Sequence, residues 1–150
     1  MYTKAKLIDE KGTVKNILSF GPVCVLPEYQ RMGYGKRLIE YSFSKAVEMG
    51  YDTVVILGNP VNYVSRGFRS CIKYNVCLEG DIFPTALLVK ELRENVLDGR
   101  KWYYHESDVF KLLEDSEKSE KFDAEFPPKV KAWQPSQEEF FIHSHSVIIK

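Results

Sequence analysis

The chain has 150 residues, 44% hydrophobic and 28% charged, enough for one domain with a real core and no dependence on disulfides or a structural metal. Lys plus Arg and Asp plus Glu each number 21, so no global charge points to nucleic acid or an anionic membrane surface as a partner. No run of about eighteen apolar residues is present, and Met1–Asp9 has no apolar stretch of the secretory kind. Cys24, Cys71 and Cys77 make an odd count without a CxxC pair, which suits a reducing, cytoplasmic compartment; each is expected as a buried small hydrophobe.

In chain order, Tyr2–Ile8 and Thr13–Phe20 read as a β-hairpin turning at Asp9-Glu10-Lys11-Gly12. Pro22–Leu26 is a short apolar run that reads as a buried strand stopped by Pro27. From Gly35 the pattern becomes helical, with Leu38, Ile39, Phe43, Ala46 and Val47 on one face and Gly50 as the end signal. Thr53–Leu57 reads as a buried strand and Val61–Arg66 as a short helix ended by Gly67. Strand, helix, strand in this order is a βαβ unit, so an α/β fold with parallel pairing is expected.

Further on, Ile72–Leu78, Phe83–Leu92 and Trp102–His105 read as strands. Asp108–Lys121 begins with helical spacing at Val109, Leu112 and Leu113. Phe122–Phe141 holds Phe122, Phe126, Trp133, Phe140 and Phe141 among prolines, too many aromatics for a free tail. Residues 1–105 are therefore expected to form the core, with 106–150 an extension packed upon it. Charge is uneven: residues 1–50 carry eight basic and five acidic side chains, residues 106–150 six and ten. A small-anion site suits the N-terminal third.

The informative segment is Gln30-Arg31-Met32-Gly33-Tyr34-Gly35, between the run Pro22–Leu26 and the helix. Glycines let the backbone curl close to a ligand, and the first helical turn leaves N–H groups unpaired. Together they can cradle phosphate oxygens, with Arg31, Lys36 and Arg37 adding charge. The spacing is neither the dinucleotide fingerprint nor a P-loop, so a plain tight connection is the competing reading.

Gly21–Ile39 resembles the acetyl-CoA-binding motif of the GNAT superfamily of N-acetyltransferases. The likeness rests on Val25-Leu26-Pro27-Glu28-Tyr29-Gln30, on the Gln-x-x-Gly-x-Gly run Gln30–Gly35, and on Tyr63-Val64-Ser65-Arg66-Gly67-Phe68, in the family's order. It spans about Phe20 to Val76, and more loosely to Tyr104. The resemblance implies a GNAT-like mixed sheet with flanking helices. It implies acetyl-CoA as co-substrate, an amine acceptor and direct attack without an acyl-enzyme, and no metal.

By the same likeness, Val23 and Val25 backbone groups bond the pantetheine arm. Gln30, Arg31, Met32, Gly33, Tyr34, Gly35 and Lys36 surround the pyrophosphate. Tyr63 aligns with the family's general acid to the departing thiolate, with packing at the sheet edge as the alternative. Asn59 and Asn62 are either cofactor contacts or turn and cap residues. The family pattern also implies that the usual opening strand and two helices are not represented ahead of Phe20. Loss of the acceptor half, leaving a non-catalytic acyl-CoA-binding module, is thus the second functional reading. A homodimer is the expected assembly, because an abbreviated fold would leave apolar surface to cover. His143 and His145 are read as exposed residues, not metal ligands.

Overall fold

β1 (Tyr2–Asp9) and β2 (Val14–Phe20) form an antiparallel hairpin running in register from Tyr2↔Phe20 to Ile8↔Val14. Asp9 closes it: one carboxylate oxygen accepts from the Lys11 and Thr13 N–H groups at 2.9 and 2.8 Å. The structure is a computed structural model that describes residues 1–149, the side chains of Leu113 and Glu114 aside.

Six further elements complete the sheet and its principal helix. They are α1 (Tyr34–Glu48), β3 (Thr53–Leu57), β4 (Arg69–Ser70), β5 (Val76–Cys77), β6 (Leu87–Glu91) and β7 (Trp102–His105). The strand order is β4-β6-β3-β2-β1-β7-β5. β2 and β3 are parallel, as the βαβ reading requires, and α1 crosses between them. The other pairings are antiparallel, save β5 beside β7. This is the expected mixed α/β sheet.

The pleat sorts apolar side chains onto two faces. Leu18, Phe20, Val54, Ile56 and Leu88 meet Ile39, Phe43 and Ala46 of α1, with Phe68 closing the cluster. Those three helix positions fall one turn apart, which makes the buried stripe. Leu38 lies outside it and is exposed. On the opposite face Leu7, Ile17, Val55, Leu87, Val89 and Trp102 form the second cluster, with Cys71 and Cys77 fully buried within it.

Three readings change. Ile72–Leu78 begins in a 3-10 turn (Cys71–Tyr74), which Asn75 ends in a left-handed conformation; only Val76–Cys77 is strand. Phe83–Leu92 is strand only over Leu87–Glu91, since Phe83, Thr85 and Ala86 bond to the chain's C-terminal stretch. Asp108–Lys121 divides into a 3-10 helix (Asp108–Glu114) and α3 (Ser116–Asp123), the latter capped by the Asp115 side chain. The side chain of Leu113 lies outside the described residues.

The extension does not pack as expected. Phe122, Phe126, Trp133, Phe140 and Phe141 are 61, 54, 68, 41 and 55% exposed. What attaches it is its last stretch. α4 (Pro135–His145) presents the His143 carbonyl to Ala86 N–H and the Thr85 hydroxyl, the Ser146 carbonyl accepts from Thr85 N–H, and Ile148 N–H donates to Phe83. Backbone polarity, not aromatic burial, holds the end of the chain on the core. Asn59 reaches α4 as well, donating to Glu139 at 2.7 Å.

Candidate functional site

The two parallel strands part almost as soon as they meet. β2 and β3 share one pairing position, Leu18↔Val54, after which β3 continues to Leu57 paired with β6 alone. From Gly21 onward the chain leaves the ladder. Pro22–Leu26 is therefore not the buried strand expected from its apolar run: it is extended chain without a strand partner. Pro22 and Pro27 bracket it and have no N–H to give a ladder. Side chains still alternate, with Val23 and Val25 half-buried while Cys24 and Leu26 face outward. Cys24 is thus exposed, where a small buried hydrophobe was expected.

Among the described residues, the N–H groups of Val23, Cys24 and Val25 have no hydrogen-bond partner. A polar tether does hold the segment: the Gln30 side-chain amide donates to the Val25 carbonyl at 2.9 Å. Gln30 thus ties the loop to the chain before it, and the Val25 acceptor is already engaged.

A one-turn 3-10 helix (Pro27–Tyr29) then leads into the loop. Arg31 and Gly33 both take left-handed backbone, at φ 63° and 85°. Gly33 is the N-cap of α1, and no side chain caps the helix there. The first helical bond is Arg37 N–H to the Gly33 carbonyl, at 3.0 Å, so the N–H groups ahead of it point outward unpaired. A Cβ built at Gly33 would meet nothing within 4 Å, and one at Gly35 only Val25, at 3.6 Å. The concavity over the first turn is therefore open. Unpaired N–H groups and the helix dipole favour an anion in that space.

These parts border one cleft of about 460 Å³. Val23, Cys24 and Val25 form one wall, with Gln30, Gly35, Lys36 and Ile39 of the loop and helix; Asn62, Tyr63 and Arg66 form the other. Its charged lining is Lys36 and Arg66, with no carboxylate or imidazole among the described residues. Arg31, Met32, Gly33 and Tyr34 sit at the loop but do not line the cleft; Met32 and Tyr34 are exposed.

Tyr63 ends α2 (Pro60–Tyr63), whose start is fixed by Asn59 accepting from Val61 N–H at 3.1 Å. Asn59 spends its other amide group on Glu139 and does not line the cleft, so of its two readings the cap is the one the geometry carries. Asn62 does line it. The Tyr63 ring is wedged edge-on between Phe20 and Phe68, centroids 5.8 and 5.9 Å away. Its back lies so close to Gly58 that a Cβ there would sit 2.8 Å from the ring. Burial pushes the phenol above its ordinary pKa, so it stays protonated at neutral pH. The packing that holds the ring also fixes where its hydroxyl stands at the cleft, so the packing reading and the proton-donor reading are compatible.

Sequence reasoning missed two features. The Gln30–Val25 tether depends on a loop closing on itself, which spacing alone does not show. Gly58 reads in sequence as a breaker before Asn59-Pro60, whereas here it makes room for Tyr63. Among the described residues no group of three or more His, Cys, Asp or Glu could hold a metal, and no helix is long and apolar enough to cross a membrane.

Comparison with known proteins gives three likenesses. Residues 5–69 match the model of the acetyltransferase (GNAT) family. An uncharacterized N-acetyltransferase of Escherichia coli (strain K12), YjhQ, is 44% identical over 72 residues, 47% of this chain and 39% of that protein. A crystal structure of a GNAT family N-acetyltransferase from Escherichia coli, YhbS, in complex with CoA, superposes with a TM-score of 0.56 at 23% identity, covering 69% of this chain and 58% of that one. The chain thus spans less than two thirds of either relative's length.

Proposed function

We propose that this chain, which has the GNAT acetyltransferase fold, transfers an acetyl group from acetyl-CoA to an amine. The observation that carries the reading is the cleft between the unpaired segment Val23–Val25 that follows β2 and the turns Asn62–Arg66 that follow β3, bordered by the first turn of α1 and faced by Tyr63. That YhbS is in complex with CoA supports the choice of ligand.

The residues suit such a molecule. The open first turn of α1, with N–H groups of Gly33–Lys36 and the charges of Lys36 and Arg66, would hold pyrophosphate. The free N–H groups of Val23–Val25 would bond the amide carbonyls of the pantetheine arm, as an added strand does. An N–H of the same segment, left for the thioester oxygen, would stabilise charge developing there. Acetyl-CoA supplies the activated acyl carbon. The acceptor amine attacks that carbon, the C–S bond breaks, Tyr63 gives its proton to the departing sulfur, and the proton that the nitrogen sheds as the amide forms restores the Tyr63 hydroxyl directly or through water.

Among the described residues the cleft offers no carboxylate or imidazole to take a proton from an ammonium group, so the reading has the acceptor enter as the free amine. kcat/KM therefore rises with pH up to the pKa of that amine. The test is release of CoA thiol from acetyl-CoA across a panel of amines. Turnover with one class of amine supports the proposal. CoA binding with no turnover on any amine leaves the non-catalytic module.

A further inference from the structure

The C-terminal helix meets the wall of the cleft at Asn59. α4 has no buried residue, so polar contacts rather than a packed apolar face decide where it lies. The His143 carbonyl accepts from Ala86 N–H at 3.1 Å and from the Thr85 hydroxyl at 2.7 Å, and Glu139 accepts from the Asn59 side-chain amide at 2.7 Å. Glu139 and His143 are one turn apart and share a face of the helix. That face meets the junction of β3 and α2, where Gly58 N–H donates to the Ala86 carbonyl.

Asn59 is the hub of this junction. Its Oδ1 accepts from Val61 N–H at 3.1 Å, its carbonyl accepts from Asn62 N–H at 3.0 Å, and its Nδ2 donates to Glu139. A carboxylate can only accept, so Glu139 fixes the amide the right way round for capping. α2 is a single turn of four residues with none buried, and a helix so short does not hold its own shape. It depends on the cap. Yet α2 and the turn after it place Asn62, Tyr63 and Arg66 on the wall of the cleft. Phe20 and Phe68 box the Tyr63 ring, whereas Asn62 is exposed and Arg66 half-buried, so the backbone turn has to place those two.

We propose that Glu139 is a positioning residue for the cleft: α4 holds the Asn59 cap, and the cap holds α2 in the geometry that presents Asn62 and Arg66 to the cofactor. The inference rests on the cleft being the CoA site. It makes the C-terminal extension a strap on that site, acting without touching the cofactor.

Asn59→Asp separates strap from cap, because Asp caps a helix as well as Asn does. The cap acceptor stays, the donor to Glu139 is lost, and two carboxylates face each other. Glu139→Gln alone keeps an oxygen that accepts from Asn59. Glu139→Gln combined with Asn59→Asp remakes the contact with donor and acceptor exchanged. The contact lies at the surface, so all these variants are expected to fold, which circular dichroism checks. Amide exchange at Val61, Asn62 and Val64, followed by NMR without CoA, reads α2; calorimetric titration with CoA reads the cleft.

Asn59→Asp and Glu139→Ala are expected to speed the exchange and to raise the Kd for CoA about 2- to 10-fold, Asn59→Asp the more. Glu139→Gln is expected to stay within about twofold of the wild type, and to recover most of the loss when added to Asn59→Asp. A residue that serves as a cap alone gives no effect of Asn59→Asp and nothing to rescue. Wild-type behaviour of Asn59→Asp, faster exchange with an unchanged Kd, or no recovery in the double variant overturns the proposal. Failure of the CoA reading looks different: the wild type itself binds no CoA, which overturns both.

Discussion

Gly58→Ala acts on Tyr63 without touching the cleft. Gly58 is buried, its N–H donates to the Ala86 carbonyl at 2.9 Å, and its backbone is not in the left-handed region. The added methyl would lie 2.8 Å from Tyr63 Cε2 and 3.1 Å from Cδ2. Carbon atoms rest about 3.5 Å apart or more, so the ring edge must retreat by roughly 0.7 Å. Phe20 and Phe68 box the ring on two sides, so the movement carries the hydroxyl. Misplacing a reacting group by about 1 Å costs on the order of 10²-fold, so kcat should fall roughly 10- to 100-fold. Affinity for CoA should hold, since Gly58 does not line the cleft. The overpacking itself costs about 1–3 kcal/mol of stability, so rates are compared well below the melting transition.

The control is Tyr63→Phe, expected to lower kcat by roughly 10²-fold with CoA binding unchanged. In that background there is no hydroxyl left to misplace, and Gly58→Ala should have little further effect. Steady-state kinetics on the four proteins of this cycle decide it. A wild-type kcat in Gly58→Ala, or two effects that simply multiply, would refute the claim that packing aims the Tyr63 hydroxyl.

Removing the tether, Gln30→Ala frees the segment that takes the pantetheine arm; an exposed hydrogen bond is worth about 0.5–1.5 kcal/mol, so the Kd for CoA should rise about 2- to 10-fold with little change in kcat. Gln30→Glu cannot donate to the Val25 carbonyl and should behave like the alanine variant in the same titration. Asp9 gives a pH dependence. Burial works to raise its pKa, but N–H groups of Thr13 and Lys11 and the Arg100 guanidinium outweigh burial and hold the carboxyl below its ordinary value. A group depressed in the folded state adds stability above its unfolded pKa and loses it as pH falls through the folded one. Urea midpoints should therefore drop below about pH 4, and the drop should be smaller in Asp9→Asn; equal slopes for the two proteins would exclude Asp9 as a source.

Much of the fold was legible because periodicity reports burial directly. The alternation of Tyr2–Phe20, the run Thr53–Leu57 and the stripe Ile39, Phe43, Ala46 name their elements unaided. Around the candidate cleft, the backbone was legible at the loop, where Gly33 takes a left-handed conformation, and at Tyr63-x-x-x-Gly67-Phe68, where Gly67 ends a turn at φ 85°. What failed has a common cause: apolar content does not say whether a partner exists. Pro22–Leu26 has the composition of a core strand but no neighbour to pair with, and the aromatics of Phe122–Phe141 have no core to enter. Cys24 was misjudged by the same inference, while Cys71 and Cys77, set among paired elements, are buried as expected.

The most direct test of the central claim is a calorimetric titration of the purified protein with CoA, beside Gly33→Val. Gly33 sits at φ 85° as the N-cap of α1, so a β-branched residue there strains the loop, by about 1–2 kcal/mol, and shifts the unpaired N–H groups that open the helix. The account predicts one CoA bound per chain by the wild type, and an affinity at least about tenfold weaker in a folded Gly33→Val protein. No heat of binding at millimolar CoA, or the same affinity in both proteins, would contradict it.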